Sequence, residues 1–172
     1  MAEIIDLYNN ARQFVTAADR KNPIPDGLNK ISVHVWFVNK YEQFLLQQRV
    51  AGAKKFPNMW GQTGGASQTK ETSWDTCVRE SVEELGIKPK IENSVLVGTF
   101  KRLSDFVDVW LVYTDVETKD LKLQPEEVQD AKWASKSEIQ DMIDKGTFIP
   151  SILPGLKMVY NYIDMTNKKR QK

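Results

Sequence analysis

The stretch GASQTKETSWDTCVRESVEELGI, Gly65 to Ile87, decides how the remainder of this 172-residue chain is read. Its second half, RESVEELG (Arg79–Gly86), packs three glutamates and one arginine into six residues. A helix is expected from about Thr72 to Leu85, stopped by Gly86, because glycine most readily takes the left-handed conformation that ends a helix. At roughly 100° per residue, Trp74, Val78, Ser81 and Leu85 share one side, with Cys77 and Val82 flanking. Glu80, Glu83 and Glu84 converge on the opposite side, where like charges one turn apart repel by a few tenths of a kcal/mol per pair. A solvated acidic face is the ordinary explanation of such a cluster. The alternative is that a cation belongs there.

Outward from this helix the chain mixes strands and helices. EIIDLYN and QFVTAAD read as a short hairpin turning at Asn9–Asn10, and NPIPDG as a loop. KISVHVWFVNK and QFLLQQR are rich in β-branched and aromatic residues and read as strands joined near Asn39–Lys40. VAGAKKFPNMWGQTGGASQTKE reads as a long loop, and loops of that length in compact domains are commonly functional. Beyond the helix, SVLVGTFKR, FVDVWLVYTDV and DAKWAS read as strands. Ser135 and Glu138 form a capping box ahead of EIQDMIDKG. SILPGLKMVYNYIDM reads as a last helix, with TNKKRQK expected to fray. Strands on both sides of a central helix point to an α/β or α+β layered domain.

Composition narrows the class. With 41% hydrophobic and 27% charged residues the chain is ordinary for a globular domain, and its length suffices for a proper core. The net charge of +1 advertises no nucleic acid, membrane or acidic partner. One cysteine, Cys77, permits no internal disulfide and suits a reducing compartment. Neither a signal peptide nor a membrane span is visible, so a cytoplasmic protein of one domain over residues 1–172 is expected. Within it, residues 1–29 form an N-terminal extension or hairpin and residues 150–172 a C-terminal helix and tail.

Read as a whole, residues 65–87 resemble the Nudix box, G-x5-E-x7-R-E-U-x-E-E-x-G-U, in which U is apolar. Gly65, Glu71, Arg79, Glu80, Glu83, Glu84 and Gly86 occupy every fixed position, and Ile87 fills the last apolar one. Ser81 departs from the pattern where an apolar residue is preferred, so slightly looser packing is expected there. Lys70 stands at a free position where many members have glycine. The flanking pattern is compatible from about residue 30 to 145.

The resemblance implies an α/β/α sandwich with a mixed β-sheet, and Mg²⁺-dependent (alternatively Mn²⁺-dependent) hydrolysis of a phosphoanhydride bond in a nucleoside diphosphate linked to another group. Hard divalent cations take oxygen ligands and are held by few carboxylates plus substrate phosphates, which suits glutamates on one helical face. By resemblance Glu80, Glu83 and Glu84 are metal ligands, one of them a candidate general base. Glu71 supports the loop or a ligand, and Arg79 holds a glutamate in place, with Glu71 as its partner. Gly64 and Gly65 let the backbone approach the metal, and the Gly64 carbonyl is a further candidate ligand. The family also places an acid on a loop after the box; Glu126 and Glu127 are available, and Glu127 is preferred.

The substrate is less legible. FLLQQRVAGAKKFPNMW resembles the corresponding stretch of type I isopentenyl-diphosphate isomerases and their Nudix relatives, which makes Arg49, Lys54 and Lys55 candidate phosphate contacts. Isomerase chemistry needs a cysteine just before the box glycine; here TGGAS places Gly64 and Ala66 at the counterparts, with Cys77 elsewhere. An ADP-sugar proline and a coenzyme A signature are both missing. Trp36, Phe56, Trp60 and Trp110 could stack on a base, with Trp60 the preferred substrate contact, although core packing explains at least two of the four. His34 shares a strand face with Trp36 and reads as a half-buried core residue, and Cys77 as an inert packing thiol. A catalytically silent binding module is the competing class, and the intact glutamates argue against it. The expected partner is a small molecule; a homo-oligomer is left open.

Overall fold

The computed structural model describes residues 2–170, and within it a seven-stranded mixed sheet lies between helices. An N-terminal hairpin, β1 (Ile4–Tyr8) and β2 (Phe14–Asp19), stands apart as its own two-stranded sheet. Its turn is longer than Asn9–Asn10 alone: the Asn9 Oδ1 atom accepts from the Ala11 and Gln13 amides, and Arg12 takes a left-handed φ of 60°. The sheet then collects β3 (Lys30–Val38), β4 (Phe44–Arg49), β5 (Trp60–Gly61), β6 (Thr63–Ala66), β7 (Ser94–Arg102), β8 (Asp105–Tyr113) and β9 (Val128–Ala134). β3 and β8 run parallel and the other pairings are antiparallel. Helix α1 (Ser73–Leu85) covers one face; α2 (Lys136–Asp144) and α3 (Leu153–Arg170) cover the other.

The alternation of β3 builds both layers. Val33, Val35 and Phe37 pack towards α1 with Leu45, Cys77 and Leu85. Trp36 and Val38 pack towards α2 and α3 with Leu46, Ile139, Leu156 and Val159. The expected α/β/α arrangement is therefore the observed one.

Three details differ from expectation. The segment from Val50 to Glu71 is not a structureless loop, because β5 pairs with Gln47 and Gln48 while β6 pairs with Ser32–Val35. Its glycines disguise strands whose stability comes from ladder bonds to distant partners rather than from local preference. The pairing of β3 with β4 is confined to Phe37–Leu45 and Val38–Phe44, so the two strands part and β6 enters the gap. Finally, the helix of the tail begins at Leu153, after a 3₁₀ turn at Pro150–Ile152, and does not fray at Thr166. It continues to Arg170, tied down by Lys136 Nζ to Asp164 at 2.9 Å and by Asn167 to Glu42 at 2.6 Å. Gln171 and Lys172 lie outside the described residues. Among the described residues no helix is long and apolar enough to cross a membrane.

Candidate active site

The site forms where β3 and β4 separate, on the α1 side of β6. Thr72 caps α1: its hydroxyl accepts from the Asp75 amide, and the Asp75 carboxylate accepts in return from the Thr72 amide. Gly86 ends the helix at φ 71°, donating its N–H to the Ser81 and Val82 carbonyls. Both ends are thus fixed locally, and the helix is held at a set angle across the sheet.

The rotation of α1 differs from the amphipathic reading. Glu80 and Glu84 are buried, at 9% and 2% exposure, whereas Val82 is exposed. Only Glu83 of the three glutamates stands half in solvent. The acidic face is consequently not a solvated one: two of its carboxylates are pressed between α1 and β6. Glycine makes this possible, since a Cβ on Gly65 would lie 2.0 Å from Glu80 Oε1.

Arg79 organises half of the cluster. Its Nε donates to Glu71 Oε1 at 2.6 Å and its Nη2 to Glu71 Oε2 at 3.0 Å. Its Nη1 reaches Glu80 at 2.8 Å and Glu83 at 3.0 Å, and its Nη2 also reaches the Ala66 carbonyl at 3.0 Å. The expected Arg79–Glu71 partnership is present in bidentate form. Burial pushes the Glu71 carboxyl up, but the Arg79 and Gln68 hydrogen bonds more than reverse this and leave it below the ordinary range. Burial dominates at Glu80, whose carboxyl is raised despite Arg79.

Glu84 lies beyond the reach of that guanidinium. Its Oε2 accepts from Gln47 Nε2 at 2.9 Å and from the Gly64 amide at 3.2 Å, and no cationic side chain pairs with it among the described residues. Burial first, then the Glu80 charge, pushes its carboxyl up to about 8. The Glu127 charge raises both Glu80 and Glu84, so the preferred loop acid is close to the cluster; Glu126 is an exposed acid beside it in sequence. The Gln124 amide donates to the Glu84 carbonyl and the Val50 amide to the Glu127 carbonyl, tying that loop to helix and sheet.

Among the described residues no three histidine, cysteine or acidic side chains already converge into a metal cage. A hard divalent cation does not require one, since one or two carboxylates and the substrate's own phosphates suffice. Glu84, Glu80 and Glu127 repel one another with no protein cation on Glu84. The Gln47 Oε1 atom beside them is buried without a hydrogen-bond partner. This donor set fits such a cation.

A cavity of about 200 Å³ opens beside Glu84, with Gln47, Arg49, Lys55, Phe56 and Gly64 on its walls. Of the candidate phosphate contacts, Arg49 and Lys55 are therefore brought to the site. Lys54 is not; its side chain is exposed and lines neither this cavity nor the one described below. Trp60 is not brought in either: it packs beside Phe148 with the Lys132 ammonium 4.4 Å from its ring centre. Trp36 is fully buried, and Trp110 packs at a tilt against Trp74 and donates to Ser73 Oγ at 2.8 Å, so both are core. Phe56 alone of the four aromatics reaches the cavity wall.

Cys77 is buried with its thiol pushed up to about 12, and no thiol lines the site, which removes the proton donor that isomerase chemistry needs. Ser81, the departure from the box, is buried with its hydroxyl donating to the Cys77 carbonyl at 2.6 Å. Lys70 has a φ of 66°, which explains a preference for glycine there; its amide is held by Asp6 at 3.0 Å. His34 is buried beside Phe100, and burial, with the Arg102 charge, lowers its imidazole to about 3. Gln47, Gln62 and the hairpin residues Asp6 and Arg12 were not legible as site or support residues. Nothing local marks them, because strand register and tertiary docking bring them in.

Residues 28–152 match the NUDIX domain family model. An uncharacterized Nudix hydrolase of Listeria monocytogenes is 33% identical over 147 residues, covering 84% of this chain and 87% of the relative. A crystal structure from Deinococcus radiodurans superposes with a TM-score of 0.75 at 23% identity, covering 90% of this chain and 96% of that one. The NUDIX domain of Shewanella oneidensis NrtR, in complex with ADP ribose, superposes with a TM-score of 0.64 at 16% identity, covering 85% and 94%. With the family model spanning most of its length and a Nudix relative 33% identical over most of both chains, the chain belongs to the Nudix hydrolase family.

Proposed function

We propose that this enzyme hydrolyses a phosphoanhydride bond of a nucleoside diphosphate linked to another group, using Mg²⁺, with Mn²⁺ as the alternative ion. The observation that carries this reading is Glu84: a buried carboxylate, crowded by Glu80 and Glu127, with hydrogen-bond donors but no cation paired with it among the described residues. Glu80, Glu83 and Glu84, with the Gly64 backbone and Glu127 beside them, would hold the ion. When bound, it would neutralise phosphoanhydride oxygens and lower the pKa of a water nucleophile. The chain's own contribution is to hold Glu71, Glu80 and Glu83 in place through Arg79 and to seat the substrate. Arg49 and Lys55 would contact its phosphates, and Phe56 its apolar part. Support for the substrate class comes from the Shewanella domain, whose ligand, ADP ribose, is a nucleoside diphosphate joined to a sugar.

The test is a turnover screen with Mg²⁺ over nucleoside di- and triphosphates, nucleotide sugars, dinucleoside polyphosphates, coenzyme A and isopentenyl diphosphate. Hydrolysis of one class by the wild type, lost in Glu84→Gln, is the expected result. Silence across the set while Mg²⁺ still raises the melting temperature would turn the reading towards a binding module.

A further inference from the structure

A second cavity, of about 170 Å³, lies on the other side of the glycine strand from the helix. Arg20, Lys30 and Arg102 line it, together with His34 and the backbone of Gly64 and Gly65. Three cations come from three separate elements: Arg20 follows the N-terminal hairpin, Lys30 opens β3 and Arg102 closes β7. No carboxylate lines this cavity, and no phenylalanine, tyrosine or tryptophan does either. Its lining is dominated by positive charge, and His34 contributes its one aromatic ring. Lys30 and Arg102 also border an adjoining hollow that Lys55 shares, so positive groups run from the first cavity round to the second.

Two of the three cations share one buried carboxylate, and the third is an exposed side chain in a surface ion pair. Asp105, only 6% exposed, pairs with Arg102 at 2.5 Å and with Lys30 at 3.6 Å, holding both from behind. Arg20 is held by Glu3 at 2.6 Å. Arg20 also depends on how the hairpin docks. Arg12 grips the buried Asp108, Asp6 accepts from the Thr69 hydroxyl at 2.7 Å, and the Thr69 amide donates to the Ile4 carbonyl.

We infer that this cavity binds a phosphate group of the substrate other than those nearest Glu84, so that the group linked to the nucleoside diphosphate itself carries phosphate. This rests on the hydrolase reading above. Gly64 borders both cavities and donates to Glu84, so a substrate with its phosphoanhydride at Glu84 extends both ways. The half in the first cavity meets Phe56, Ile149 and Ile152 beside Arg49 and Lys55; the half in the second meets three cations and glycine backbone, with no such apolar wall. Arg guanidinium forks match phosphate oxygens in pairs, and a neutral sugar would leave them without such partners. A terminal phosphate and a phosphate inside a polyphosphate bridge supply the same chemistry.

The test uses the full chain with a chelator present and titrates inorganic phosphate and pyrophosphate calorimetrically, so that no turnover is required. At least tenfold weaker binding is expected in Arg20→Ala and in Arg102→Gln. Wild-type affinity in both variants would overturn the inference. Arg20 is exposed and pairs with the partly buried Glu3, so Arg20→Ala keeps the test decisive should Arg102→Gln fail to fold once Asp105 loses a partner. A kinetic arm compares a nucleoside triphosphate, a dinucleoside polyphosphate and a nucleotide sugar. In Arg20→Ala, KM rises about tenfold for whichever phosphate-bearing class is cleaved, and the ratio to the sugar shifts by the same factor. An equal rise for the sugar would overturn the inference. Should nothing be cleaved, the hydrolase reading fails while the phosphate titration still decides whether the anion site exists.

Discussion

The carboxylate cluster has two halves with opposite solutions to the same electrostatic demand. On one, Arg79 supplies a resident cation to Glu71, Glu80 and Glu83 through bonds of 2.6 to 3.0 Å. On the other, Glu84 is more deeply buried yet meets only an amide and a backbone N–H. An unpaired buried carboxylate opposes folding, so Glu84 costs stability where it stands, and the functional role proposed for it is what such a cost would serve. Arg79 neutralises one half, and the other is left without a cationic partner among the described residues.

The sharpest way to break this contrast is Glu84→Gln. The amide oxygen can still accept from Gln47 and Gly64, so the fold is expected to hold while kcat/KM falls by about a thousandfold, or ~4 kcal/mol. The same variant should raise the melting temperature of the metal-free protein at neutral pH, because folding no longer has to protonate or desolvate a carboxylate there. Loss of activity together with loss of stability would show that Glu84 is a structural residue after all. Arg79→Lys probes the other half. A lysine keeps the charge but cannot fork between Glu71 and Glu80, and a buried pair broken on one side costs about 3–5 kcal/mol. Since lysine retains part of the attraction and Arg79 keeps some solvent contact, an unfolding cost of ~2 kcal/mol is expected in denaturant melts.

The two halves also titrate in opposite senses in chelated protein. The folded Glu71 carboxyl lies below its unfolded value of 4.5. Its contribution is thus full above that pH and lost as pH falls through the folded value. The folded Glu84 carboxyl lies above 4.5, at about 8. Its contribution is full below 4.5 and lost as pH rises towards 8. Urea melts at successive pH values should show a slope of at most ~1.4 kcal/mol per pH unit from each group. Glu84→Gln should flatten the limb above 4.5, and Glu71→Gln the acid limb. A wild-type slope above 4.5 that survives in Glu84→Gln would assign it to another group.

What could be read from the sequence follows the range of the forces involved. Helix α1, its Gly86 stop and the Ser135–Glu138 box were legible because caps and periodicity act within a turn. The Arg79–Glu71 pair became legible only through the family resemblance. Strands β5 and β6 were hidden because glycine in a strand is allowed by its neighbours, not by itself. The burial of Glu80 and Glu84 was misread for a related reason. Helical periodicity tells which residues share a face, but the depth of each depends on where β6 crosses, and Gly65 sets that distance. Lys54 and Trp60 look like their neighbours Lys55 and Phe56 in sequence; only the path of the loop separates them. Lys70 was passed over as a free position, although its left-handed backbone is held by Asp6 from the far end of the chain.

The smallest effect belongs to the residue that joins the two halves from outside. Glu127 is exposed, yet its charge raises the carboxyls of both Glu80 and Glu84, and Gln124 and Val50 bind its loop to the helix and the sheet. An exposed acid contributes little to stability, so Glu127→Gln should leave the melting temperature within error of wild type. Its closeness to the bare half of the cluster should still cost about tenfold in kcat/KM, or ~1.4 kcal/mol. Glu126→Gln, at an exposed acid one residue away, is the matched control. Equal activity in the two variants would return Glu127 to the class of solvated loop acids. A tenfold gap between neighbours of the same chemistry would instead locate the bare half by function, since only position relative to Glu84 distinguishes them.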